Sequence, residues 1–199
     1  MPSSARVEMH QTRGLDEHVK LIARQMNRSL RDGESRRLAL RIVSGNYDYA
    51  IDPRTGQEVP VIRAYGKNFL APPGRGCTPH DARCEVEKIW DFMVLNVRYC
   101  YDTSGIDVFA TLKETLLAAG GDCDDMVIAM ATLLKHLGFE VIARVVSTQD
   151  DPGTWVHIYP LVGMPKDNPR EWIPLDMTVN GVMPGWEYGD IAHTQDYPL

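Results

Sequence analysis

No long apolar run occurs in this sequence. Nothing in it approaches the roughly 18 to 20 apolar residues that a membrane span needs, so no membrane partner is expected. The opening stretch, MPSSARVEMHQTRG, has no hydrophobic segment and does not read as a secretory signal. Positive charge is short as well. Against 27 Asp and Glu stand 21 Lys and Arg, a formal net charge of -6, which argues against a general nucleic-acid binder. Cysteine is scarce, with four in 199 residues. Without a secretory signal these read as reduced thiols rather than a disulfide framework, and the expected location is the cytoplasm. There is no internal repeat and no low-complexity segment. No cofactor is called for.

What is present is an ordinary globular composition, 44% hydrophobic and 24% charged, in a chain long enough to bury one core. Helical spacing appears at Val19, Ile22, Met26 and Leu30, then in SRRLALRIVSG, which ends at Gly45. Residues 46 to 79 read as irregular chain with one short strand near Val59 to Ala64. A second helical stripe runs through Ala82, Val86, Ile89, Met93 and Val97, and a short helical piece precedes Gly120-Gly121. A third, GGDCDDMVIAMATLLKHLG, puts Met126, Val127, Met130, Leu133, Leu134 and Leu137 on one face, with Gly138 at its end. After it come FEVIARVVS, TWVHIYPLVG and EWIPLDMTV, β-rich runs joined by short polar turns, so an antiparallel sheet follows. Helices first and then consecutive strands is an α+β order. The expected division is an N-terminal helical extension and irregular segment over 1–80, a catalytic core over 81–183, and a tail over 184–199 with no period.

The chemistry centres on Cys123. A thiol attacks as thiolate and its free pKa is roughly 8.5, so an enzyme must activate it. A helix N-terminus supplies partial positive charge, and Cys123 lies in or just before the first turn of its helix. His157 is the candidate base. On a strand, Trp155, His157 and Tyr159 share one face. Asp176, on the next strand, is placed to orient the imidazole. Asp122 reads as an N-cap, and Asp124 and Asp125 as first-turn acids. Such carboxylates oppose a neighbouring thiolate. Cys77, His80 and Cys84 in CTPHDARC lack the spacing of paired zinc knuckles and read as loop and helix residues, with a structural zinc as the alternative. His10, His18, His136 and His193 show no partner and read as surface or edge residues.

Taken together, GDCDDMVIAMATLLKHLGFEVIARVV, WVHIYP and WIPLDMT resemble the transglutaminase-like superfamily of papain-related cysteine enzymes. The upstream IWDFMVLNVRYCYD resembles the helix and RY segment before the cysteine in many members. The likeness spans about Asp81 to Val179. It implies a papain-like core with the catalytic helix packed on an antiparallel sheet. It further implies Cys123 as nucleophile, His157 as base and acid, and Asp176 as orienting carboxylate. An upstream side chain that helps hold the oxyanion is implied too, either Tyr99 or Tyr101, with Asp122 and Trp155 as further candidates beside the substrate. The expected activity is hydrolysis of an amide bond in a protein or peptide through an acyl-enzyme. Transfer to an amine, or a non-catalytic binding module on the same fold, are the alternatives. GDCDD and the trailing PGW resemble members encoded by tailed phages and prophages, which implies phage structural proteins as partners and the host cytoplasm or virion as location.

Overall fold

The computed structural model describes residues 14–101 and 108–199. Its elements run α1 (Leu15–Leu30), α2 (Gly33–Ser44), β1 (Asp48–Ile51), β2 (Glu58–Ala64), β3 (Lys67–Leu70), α3 (Ala82–Asn96), β4 (Arg98–Tyr99), α4 (Leu112–Ala118), β5 (Gly120–Gly121), α5 (Cys123–His136), β6 (Val141–Thr148), β7 (His157–Met164), β8 (Glu171–Pro174) and β9 (Ile191–Pro198). This is an α+β arrangement centred on α5.

Helix α5 is the axis of the core. Every residue from Cys123 to Leu134 is buried, which fits a helix that is apolar on nearly all sides. Helices α1, α2, α3 and α4 pack around it, and strands β6 and β7 cover its remaining flank. The sheet beside it has strand order β8-β7-β6-β9, antiparallel throughout. Its helix-facing residues, among them Val141, Ala143, Val145, Ile158 and Val162, join the main core. Val146, Tyr159 and Leu161 form a small separate cluster.

Three expectations need correction. Residues 46 to 79 are not irregular chain with one strand but a three-stranded antiparallel meander, β1-β2-β3. It docks Val61, Ile62, Ala64 and Phe69 into the interior, and Phe69 meets Phe92 edge-on at 6.1 Å. The one expected strand, near Val59 to Ala64, is β2; Pro60 lies inside it, and its carbonyl accepts from Ala71 N–H at 3.0 Å. The second correction concerns the tail, which ends in β9 paired along β6 from Thr148 to Ile142. An edge strand with mostly exposed side chains has no apolar alternation to reveal it. The third is covalent: Cys77 and Cys84 form a disulfide, while Cys100 and Cys123 are free. The two sulfurs bind each other, so this stretch offers neither free thiols nor a zinc knuckle. Among the described residues no helix is long and apolar enough to cross a membrane, and no cluster of His, Cys, Asp and Glu is arranged to hold a metal.

Candidate active site

Cys123 is the first residue of α5, and the approach to it is clamped from both sides. Upstream, β5 pairs in parallel with β4, Arg98 opposite Gly120 and Tyr99 opposite Gly121. Both glycines are required by close approach. A Cβ on Gly121 would come within 2.6 Å of the Asp125 Cβ, and one on Gly120 within 2.8 Å of the Cys100 sulfur. Downstream, Asp122 caps the helix as expected, its carboxylate accepting from Asp124 N–H at 3.1 Å and Asp125 N–H at 3.3 Å. Asp125 in turn accepts from the backbone N–H of Ala110 at 2.7 Å. The first turn is thereby tied to the chain that precedes α4.

The Cys123 thiol is 2% exposed. Burial pushes it well above the ordinary thiol range, and the charges of Asp124 and Asp122 push the same way. Backbone N–H groups of Ile158 and Asp124 donate toward the sulfur and pull in the opposite direction. Ile158 directly follows His157, so the start of β7 lies against the Cys123 sulfur.

His157 and Asp176 meet as expected. His157 Nε2 and Asp176 Oδ2 are 2.9 Å apart. Asp176 is 2% exposed and lies just beyond β8, which pairs with β7. Thr178 holds the carboxylate from the other side, its hydroxyl at 2.7 Å and its N–H at 3.1 Å from Oδ1. Burial alone would raise the Asp176 pKa, but the His157 hydrogen bond, the imidazole's charge and the Thr178 bonds outweigh it and hold the carboxyl below the usual range. With Nε2 engaged, Nδ1 is the ring nitrogen left for a proton. Among the described residues no hydrogen bond joins the Cys123 sulfur to the His157 ring.

The other expected site residues separate. Tyr99 is half-buried, and its hydroxyl is pushed upward by burial first and then by the charges of Cys123, Tyr101, Asp122 and Asp124. Tyr101 is 57% exposed and stacks edge-on against Tyr99 at 5.1 Å. Of the two tyrosines, Tyr99 is the more buried and the one whose hydroxyl feels the Cys123 charge. Trp155 precedes β7 instead of belonging to it. It lines a cleft of about 530 Å³ with Asp16 and Glu17 of α1 and Gln195 and Tyr197 of β9. Tyr159 does sit beside His157, ring centres 5.6 Å apart.

His18 and His136 correct the reading of histidines without partners. His136 Nε2 lies 2.6 Å from the Ser35 hydroxyl. His18 is buried in α1, with Nε2 2.9 Å from Asp124 Oδ1. A polar residue on an otherwise apolar helix face, beside Val19, Ile22 and Met26, was the signal available for it. His193 lies on β9, and His10 falls outside the described residues.

A search of the curated proteins finds no match. The family model described as the transglutaminase-like superfamily matches residues 74–177, which takes in α3, α5 with Cys123, the His157 strand and Asp176. With just over half of its length matched and an α+β fold of the expected kind, the chain belongs to the transglutaminase-like superfamily.

Proposed function

We propose that the protein is a cysteine enzyme that cleaves an amide bond in a protein or peptide through an acyl-enzyme. The observation that carries this reading is the part-buried His157–Asp176 pair at 2.9 Å, with His157 at the start of the strand whose next residue, Ile158, donates its N–H toward the Cys123 sulfur. A thiol pushed up by burial rests neutral, so His157 acts as a general base during attack and not as half of a standing ion pair. Cys123 Sγ adds to the carbonyl carbon while its proton passes to His157 Nδ1. The Cys123 N–H and the Tyr99 hydroxyl stabilise the oxyanion. His157 returns the proton to the leaving amine as the C–N bond breaks, and a thioester remains. Water, activated by the same imidazole, then releases the acid and regenerates the thiol. Asp176 fixes the ring throughout. His157 keeps 19% of its side chain exposed, which leaves the ring open to an incoming substrate.

A second reading is a binding module without chemistry, with phage structural proteins as the partners its resemblance implies. The near-complete burial of Cys123, and the lack of a hydrogen bond to His157 among the described residues, favour it. The two readings part in one experiment. Wild type, Cys123→Ala and His157→Ala are incubated with a panel of peptides and glutamine amides, and intact mass reports an acyl adduct and released product. A fluorescent primary amine in the same reaction reports transfer. Under the enzyme reading an adduct on Cys123 forms in wild type only, and both variants retain the wild-type circular dichroism. Turnover that survives Cys123→Ala sinks it.

A further inference from the structure

The first turn of α5 sets an electrostatic problem. Three carboxylates, Asp122, Asp124 and Asp125, crowd a thiol whose reactive form is an anion. Each is buried, at 6%, 5% and 5% exposure. Two of them spend charge on backbone donors, Asp122 on two N–H groups of its own helix and Asp125 on Ala110. Asp124, the residue next to Cys123, instead faces an ionisable side chain. His18 Nε2 lies 2.9 Å from its Oδ1, with the two side chains only 8% and 7% exposed. The ring of Phe109 closes edge-on over the imidazole, centres 5.0 Å apart, and shields the pair.

We propose that His18 is a positioning residue of the active site, carried as imidazolium so that it cancels the Asp124 charge beside Cys123. This rests on the reading of Cys123 as nucleophile. An isolated buried carboxylate carries a desolvation penalty, and a neighbouring anion disfavours a thiolate. One buried cation answers both. It also ties α1 to the nucleophile helix, so the N-terminal segment outside the family match takes part in setting the chemistry. Among the described residues, the other charges near the pair fit this arrangement. On α5 these are Asp122 and Asp125, already hydrogen-bonded. From β4 comes the neutral Tyr99 hydroxyl, and His157 stands at the start of β7, engaged with Asp176. On α1 itself, Glu17 is exposed, and Arg28 acts on Glu114 of α4, about three turns away.

The test reads protonation directly and needs no substrate. Side chains labelled with carbon-13 at cysteine Cβ and histidine Cε1 are titrated by NMR in wild type, His18→Gln, Asp124→Asn and the double variant, with exposed Cys100 as internal reference. His18 of the wild type is expected to be charged at about pH 7. Its loss should raise the Cys123 midpoint by about one pH unit, a tenfold loss of thiolate at any pH below it. In the Asp124→Asn background the buried imidazole loses the anion that keeps it charged and becomes neutral, so the same His18→Gln change should move Cys123 little. A neutral His18 at that pH overturns the proposal without any mutation. So does an unchanged Cys123 midpoint in His18→Gln, or an equal shift in both backgrounds. A merely structural histidine would lower Tm and leave the midpoint in place. His157→Gln separates the two ideas: if it leaves acylation intact, the triad reading fails, while His18 is still judged by its own titration.

Discussion

Single side chains decide whether this site can work. Asp176 is the clearest case, because a carboxamide keeps its size and loses its charge. Asp176→Asn should cut acylation by roughly 10² to 10⁴ while the fold persists, since the ring loses the partner that fixes its tautomer. Adduct formation on Cys123 under single-turnover conditions measures this. The same carboxyl predicts a pH effect. Its folded pKa lies below the ordinary 3.8, so its contribution to stability is complete above that value and fades as pH falls through the depressed one. The Tm gap between wild type and Asp176→Asn should therefore be widest near neutrality and narrow toward about pH 3. Gly121 gives a steric prediction. Gly121→Ala drives a methyl into Asp125, 2.6 Å from its Cβ and 2.7 Å from Oδ2, and should cost about 1–3 kcal/mol in chemical denaturation. Cys123, His157 and Asp176 stood out in the sequence because each sits in a recognisable run. His18 did not, because what gives it meaning is Asp124, 106 residues away.

Elements differ in how far their local pattern exposes them. Helices α1, α2, α3 and α5 announce themselves by period and end signals. Asp32 and Asp81 cap α2 and α3 through the N–H groups of Glu34 and Cys84, and Gly45 closes α2 at a φ of 70°. Strands β6 and β7 are legible for the same reason, being β-branched and buried on the helix-facing side. Strands β1 and β9 are not, because their side chains are largely exposed and pairing alone makes them strands. What the buried pattern of α5 predicts is fragility. Leu133 is 0% exposed in the middle of the core, so Leu133→Ala should cost about 2–5 kcal/mol, read as a lower urea midpoint at unchanged slope.

Across the whole molecule, the disulfide is the feature that composition argued against. Cys77 and Cys84 are only seven residues apart, and tertiary docking brings their Cα atoms to 5.6 Å. Cys77 N–H donates to Val43 of α2 at 2.8 Å, while Cys84 lies in the first turn of α3, so the bridge fastens the connection between two helices that both lean on α5. A loop of this length gives an entropic stabilisation of about 2–3 kcal/mol. Reduction, followed as a gain of two thiols by mass, should lower Tm accordingly, and Cys77→Ser/Cys84→Ser should match the reduced protein and lose any response to reductant.

The short parallel pairing of β4 with β5 has a consequence for how such a protein can diversify. Cys100 N–H donates to Gly121 at 2.9 Å and Arg98 N–H to Ala119 at 3.1 Å, so the chain leaves and re-enters the neighbourhood of Cys123 through one fixed gate. The span between its two posts is itself built in: Phe109 lies against His18, the Ala110 N–H holds Asp125, and α4 packs on α5. Diversity there is held in check, because a change of length would be felt where Cys123 is presented.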